Sequence, residues 1–413
     1  MPQTTPFHDR LVPLNETQIW KHWSGYLVAP QYQYSETDEY YAIRNSASLL
    51  DTSPLFKYVI QGSGAVPFLE HLLARNIGDC DVGQAQYTCW CNEAGFVIQD
   101  GVILRLSEDQ FWLTAAEPTL RYFQQVANRN PQFSEVTIED ISQQYGILAL
   151  QGPHAFNVLG SLAPEVAELS YFGVKRAEVD GVSVVVSRTG FTGDLGYELW
   201  IPAASALQVW DALMNAGLNY NITPIGTTAL KMARVEAGLL LLDVDFSSAR
   251  FAWVDAQRET PCELGWRWMF RKLGDDPRSF IGRSAIENQI ADKSQRWTTV
   301  GLEVDWHEYE RVHIEAGIMP PKHGVYHEST MSIYRRGDVE WDYVGYATSF
   351  LYSSLLRKPI ALAKLPLDLA KTGTEVDLEI AVIRKPVNVM ARVAKLPFFN
   401  PARKTAPLVS SST

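Results

Sequence analysis

Toward its C-terminus the chain alternates apolar and polar residues with period two. Val376, Leu378, Ile380 and Val382 alternate with Glu375, Asp377 and Glu379, and after Arg384-Lys385-Pro386 the residues Val387, Val389, Ala391 and Val393 alternate with Asn388, Met390 and Arg392. This pattern predicts a hairpin with one buried face. Residues 301–304 and 344–347 would add strands, so the last hundred residues read as β-rich. Further upstream, V-S-V-V-V-S at 182–187 and a second apolar run at 197–201 flank R-T-G-F-T-G-D-L-G, whose glycines mark a turn; the pair predicts another hairpin. The period then becomes helical. Leu207, Trp210, Leu213 and Met214 share one face of a helix over 203–216, and Gly217 stops it. Thr227 or Thr228 is placed to cap a second helix running to Gly238, with Lys231 and Arg234 on one face. The predicted class is α+β followed by all-β.

Length and charge narrow the picture. A chain of 413 residues exceeds one ordinary core and suits two or three domains. Hydrophobic residues at 46% and charged residues at 20% fit a soluble globular protein. Residues 1–10 hold no apolar run resembling a secretory signal, and no stretch has the length of a membrane span, so a cytoplasmic location without a membrane partner is expected. The four cysteines are too few for a disulfide scaffold. A net charge of −11 argues against nucleic-acid binding. From Leu351 onward, ten Lys or Arg stand against four Asp or Glu, so this end alone is basic.

Metal and nucleotide chemistry find little support. Cys89 and Cys91 share a strand face and could hold a metal together, but no other His or Cys pair has partner spacing, so they read as buried hydrophobes. His323 and His327 are four apart, yet Gly324 and Pro320-Pro321 argue against a helix. No phosphate-binding G-x-x-x-x-G-K-[ST] or dinucleotide G-x-G-x-x-G occurs; Gly190, Gly193 and Gly196 have the wrong spacing.

Several segments in register carry a resemblance. They are Y-T-C-W-C-N-E-A-G-F-V-I-Q-D at 87–100, L-A-L-Q-G-P at 148–153 and S-R-T-G-F-T-G-D-L-G-Y-E-L at 187–199. Next come A-R-V-E-A-G-L from Ala233, E-T-P-C-E-L-G-W from Glu259 and F-I-G-R from Phe280. V-G-Y-A-T-S, P-I-A-L-A and K-L-P-F-F follow in the basic end. Spanning about residues 40–400, they resemble the T-protein (aminomethyltransferase) family of glycine cleavage. The resemblance implies a three-domain disc with two α+β domains, a C-terminal β-barrel and folate in the central cavity. A discontinuous folate-binding domain would comprise 1–56 and 148–280, with 57–147 inserted and carrying Asp100. The barrel domain would be 281–405, and 406–413 a frayed tail.

The same resemblance implies roles for particular residues, with tetrahydrofolate as cofactor. A carboxylate matches the donor edge of a pterin with two parallel hydrogen bonds, and Glu198 stands at the family position for it. Asp100 matches the family's essential aspartate, which would stabilise positive charge developing on the reacting amine. Read without the family, Asp100 before Gly101 is a turn former. Arg234 would contact the folate, through its acidic tail or by orienting Glu198. Tyr87, Phe172, Phe191 and Trp266 would supply aromatic surface against the folate rings. The charge pattern of the basic C-terminal end reads either as a solvated surface or as a rim beside an anionic substrate or the folate tail.

The chain also departs from the family. L-D-T-S-P-L-F-K at 50–57 replaces an S-H-M segment and looks more like stand-alone folate-dependent demethylases or the folate domains of dimethylglycine and sarcosine dehydrogenases. Leu230 and Lys231 replace an Arg-Asp pair, Leu242 replaces a folate-site tyrosine, and the loop 246–258 is long. These changes favour a demethylase that takes methyl from a small amine, ether or thioether, an anionic one drawn by Lys231, and forms methyl- or methylene-tetrahydrofolate. The alternatives are the glycine-cleavage aminomethyltransferase, working with a lipoyl carrier protein, and a non-catalytic folate-binding regulator. Relatives of the last kind carry K-G-C-Y-x-G-Q-E, which is absent here.

Overall fold

A computed structural model describes residues 2–321, 326–337 and 341–408. His323 and residues 409–413 of the expected tail lie outside the described residues.

The described residues form three principal sheets. The first has six strands, in the order Val174–Val179, Val182–Ser187, Gly196–Pro202, Tyr145–Gln151, Ala47–Asp51 and Ile222–Pro224. Only its last pairing is parallel. The expected hairpin is its centre, with Val185 opposite Trp200 and Ser187 opposite Glu198. The second sheet has five strands, in the order Gln84–Cys91, Val97–Arg105, Gln110–Ala115, Phe56–Gln61 and Thr137–Asp140. In the third, six strands between Thr298 and Ala394 close into a barrel, because Tyr343–Ser353 pairs with both Met331–Arg335 and Lys358–Leu365. The period-two hairpin is Glu375–Val382 against Lys385–Ala394. Its apolar residues point inward: Val376, Leu378, Val389 and Ala391 are all fully buried. Closure removes the exposed edges that an open sheet would present.

Helix prediction needs two adjustments. The first helix spans Ala206–Gly217, after a short 3-10 turn at Ala203–Ser205. The second is Thr227–Glu236, and its N-cap is Gly226 rather than a threonine. Packing decides this: a Cβ on residue 226 would stand 2.3 Å from the Pro30 carbonyl oxygen, so only glycine fits there. The Gly226 N–H is instead satisfied by the buried Glu39 carboxylate at 2.6 Å.

The three sheets meet around one shared apolar cluster. Tyr40, Cys89, Cys91, Met232, Trp266, Leu351 and Leu362 all belong to it. Cys89 and Cys91 are fully buried there, as packing residues. No helix among the described residues is long and apolar enough to cross a membrane.

Candidate active site

Asp100 lies in mid-strand, not in a turn. Strand Gln84–Cys91 turns through 92–96 and returns as Val97–Arg105, which sets Asp100 opposite Cys89 and Gly101 opposite Thr88. Gly101 is required for a tertiary reason: a Cβ would fall 2.2 Å from the Thr114 carbonyl oxygen. The turn-former reading of Asp100-Gly101 is therefore wrong.

Tyr87 and Asp100 project to one face of this hairpin, and the Tyr87 hydroxyl donates to the Asp100 carboxylate at 2.7 Å. Burial nonetheless pushes the Asp100 carboxyl up to about 6, with the tyrosine bond opposing the shift. An aromatic wall stands beside it. The Tyr87 ring meets Trp266 edge-on at 5.7 Å and stacks with Trp268 at 6.5 Å, and Trp266 meets Phe246 at 5.4 Å. Arg75 closes the group, with its guanidinium 5.1 Å from the Trp268 ring centre and a hydrogen bond to the Tyr87 carbonyl.

The second carboxylate sits on the first sheet. Glu198 is opposite Ser187 on one side and Ala149 on the other, and accepts a hydrogen bond from the Thr189 hydroxyl. Ser187 and Thr189 hydroxyls are themselves 2.6 Å apart. Burial raises the Glu198 carboxyl above its ordinary range, and the Thr189 bond lowers it. Gln151 holds this region in place. Its amide donates to the carbonyls of Thr189 and Tyr197 at 3.2 and 3.3 Å and accepts from the Thr192 hydroxyl at 2.8 Å. A Cβ on Gly190 or Gly196 would come within 2.1–2.2 Å of that amide. The glycine spacing that fits no dinucleotide motif is thus explained by room for Gln151.

Phe172 joins the two halves. Its backbone has φ of 65°, its N–H donates to the Arg188 carbonyl at 3.1 Å, and its own carbonyl accepts from Ala85 at 2.7 Å. One bond leads to the Glu198 side, the other to the strand that carries Tyr87. Phe191 is part-buried in the loop between the two hairpin strands.

Arg234 is placed differently from the other expected site residues. It is fully buried and pairs with Asp245, while its remaining bonds go to the Leu239 carbonyl, the Tyr326 hydroxyl and the Ser349 hydroxyl at 3.2, 3.0 and 2.7 Å. Among the described residues it makes no bond to Glu198. Asp245 also accepts from Thr348 and Ser349, so the cluster ties the helix to the barrel. Lys231, expected to draw an anionic donor, is ion-paired with Glu328 at 2.6 Å. Its charge is already met within the chain.

Sequence reasoning missed Trp268, Phe246 and Arg75. Only Trp268 offered a signal, as the second tryptophan of G-W-R-W.

Comparison with known proteins identifies the family and the fold. The model of the GCVT N-terminal domain matches residues 12–270, and that of the glycine cleavage T-protein C-terminal barrel domain matches 312–400. The aminomethyltransferase of Pseudothermotoga lettingae is 29% identical over 403 residues, covering 97% of this chain and 99% of that protein. The aminomethyltransferase of Chlorobaculum parvum is 31% identical over 382 residues, covering 92% and 94%. Among solved structures, the glycine cleavage system aminomethyltransferase T from Bartonella henselae superposes with a TM-score of 0.78 at 22% identity, covering 97% of this chain and 99% of that one. That likeness shows the same fold, and with two family models accounting for most of the sequence the chain belongs to the aminomethyltransferase (glycine cleavage T-protein) family of transferases.

Proposed function

We propose that this protein transfers a one-carbon unit to tetrahydrofolate, with Glu198 anchoring the pterin and Asp100 serving the reacting centre. The observation that carries the reading is the pair of desolvated carboxylates, one on each sheet, joined through the backbone of Phe172. A largely enclosed carboxylate whose main internal bond is a hydroxyl retains acceptor capacity for a ligand's paired N–H groups, and Glu198 fits that description. Asp100 is negative at neutral pH and sits beside an aromatic wall, so it stabilises cationic charge on an amine during transfer. Tyr87 holds the carboxylate in one orientation.

For the donor, the relatives' names favour an aminomethyl group: its carbon would pass to two folate nitrogens as a methylene bridge, its nitrogen would leave as ammonia and the carrier sulfur would leave as the free thiol. Demethylation of a small amine, ether or thioether is the second reading. Leu230 and Leu242 favour it, because they put aliphatic surface where the family resemblance expects polar folate-side residues. An anionic donor has less support, since Lys231 is neutralised by Glu328. The experiment offers the protein tetrahydrofolate together with either an aminomethyl-loaded lipoyl carrier or a panel of methylated metabolites. Ammonia with methylene-tetrahydrofolate supports aminomethyl transfer. Methyl-tetrahydrofolate from a free metabolite alone supports demethylation. No folate product from either donor set overturns the proposal.

A further inference from the structure

Trp268 belongs to two surfaces. On the active-site wall its ring stacks with Tyr87 at 6.5 Å and carries the Arg75 guanidinium 5.1 Å from its centre. It also lines an open groove of about 620 Å3, together with Arg267, Phe270, Arg271 and Ile290. The groove runs between the 3-10 turn Arg267–Phe270 and the helix Arg283–Asp292. Trp268 is 38% exposed, so the wall that begins at Tyr87 opens to solvent at this residue.

Three arginines frame the opening. Arg75 is part-buried and held by its bond to the Tyr87 carbonyl at 3.1 Å, while Arg267 and Arg271 are exposed. Among the described residues none of the three pairs with a carboxylate. The acids near them are already engaged. Asp79, whose charge bears on Arg75, is paired with Lys272 at 3.0 Å, and Glu287 on the groove wall with Arg283 at 2.7 Å. A free guanidinium set beside an aromatic ring is suited to a carboxylate, which it can grip with two parallel hydrogen bonds.

We propose that Arg75 receives the first glutamate of folate and that Arg267 and Arg271 hold further γ-linked glutamates in the groove, so that the protein selects long-tailed folates. The assignment rests on the reading of Glu198 and Asp100 as a folate site. With the pterin at Glu198 and the reacting nitrogens at Asp100, the benzoyl group lies along Tyr87 and Trp266, and the glutamate follows at Trp268. Each γ-linked glutamate adds one carboxylate to the tail, and the groove offers two more unpaired cations beyond Arg75.

The test measures dissociation constants for tetrahydropteroate, which lacks the glutamate, and for tetrahydrofolate with one and with three glutamates. The proteins are the wild type, Arg75→Met and the double variant Arg267→Ala/Arg271→Ala, with thermal midpoints as a check on folding. Wild-type affinity should rise by about tenfold at each step of tail length, the scale of one or two partly exposed charge pairs, and the steps should shrink as salt is raised. Arg75→Met should remove the step from tetrahydropteroate to one glutamate. The double variant should remove the step from one glutamate to three and leave the first step in place. Wild-type binding that ignores tail length, or variants that weaken all three ligands equally, overturn the proposal while leaving the folate site standing. A wild type that binds none of the three, tetrahydropteroate included, sinks the folate reading itself.

Discussion

Asp100 and Glu198 are carboxylates that the fold withdraws from water, and among the described residues neither has a cationic partner. Such groups are costly in the folded state and are tolerated where a ligand or a reaction uses them. For Glu198, replacement by Gln removes the charge that a pterin edge would pair with. Truncating one side of a buried charged hydrogen-bond pair costs roughly 2–5 kcal/mol. Glu198→Gln is therefore expected to weaken tetrahydrofolate binding well over tenfold by calorimetry. For Asp100, the raised pKa fixes two signs. The folded protein holds this proton more tightly than the unfolded chain, so stability present below the ordinary carboxylate pKa is lost as pH rises through about 6. Asp100→Asn keeps an acceptor for the Tyr87 hydroxyl and removes that loss, so the variant should be more stable than wild type above pH 6, by roughly 1–3 kcal/mol. Its turnover should fall about 10²-fold or more, and the acid limb of the rate profile near pH 6 should vanish with the carboxyl. A variant with normal turnover, or one less stable at pH 8, would contradict this account.

At the scale of elements, the strands that carry these carboxylates are placed by close backbone approach. Gly101 lets the Asp100 strand meet Thr114, and Gly190 and Gly196 leave room for Gln151 beneath the Glu198 strand. The two cases differ in what would have to move. A methyl at residue 101 meets a backbone oxygen that is part of the sheet, whereas a methyl at 196 meets a side-chain amide held by three hydrogen bonds. Gly101→Ala is expected to cost about 1–3 kcal/mol or more, with turnover reduced because Asp100 shifts with its strand. Denaturant melts and single-turnover rates on the same sample check both effects. A fully stable, fully active Gly101→Ala would show that the strand has slack at this point.

For the whole molecule, buried polar clusters hold the shared core together. Arg234 and Asp245 link the helix Thr227–Glu236 to Thr348 and Ser349 of the barrel. Glu236, at the end of the same helix, binds Arg44 at 2.7 Å and the Tyr40 and Ser353 hydroxyls at 2.5 Å each. Breaking a buried ion pair from one side leaves the other charge stranded and costs about 3–5 kcal/mol. Arg234→Met should accordingly lower the unfolding midpoint whether or not folate is present. A normal melting temperature combined with lost folate binding would instead return Arg234 to direct ligand contact.

Local patterning by itself determined the hairpin of 182–187 and 197–201, the 375–394 hairpin with its inward face, the helices Ala206–Gly217 and Thr227–Glu236 to within a few residues, and the α+β-then-β class, because periodicity reports which face of an element is buried. Resemblance to the family's motifs, not periodicity, singled out Asp100, Glu198 and Tyr87. Tertiary structure decided the rest. It put Asp100 in mid-strand where its dipeptide reads as a turn, gave the N-cap to Gly226, and took Arg234 and Lys231 into ion pairs with Asp245 and Glu328. It also brought Trp268, Phe246 and Arg75 beside Tyr87 and Trp266 from separate segments. The physical reason is common to all of them. A charge's partner and a backbone's nearest neighbour come from residues tens to hundreds of positions away, and the local pattern that shapes each element carries no record of them.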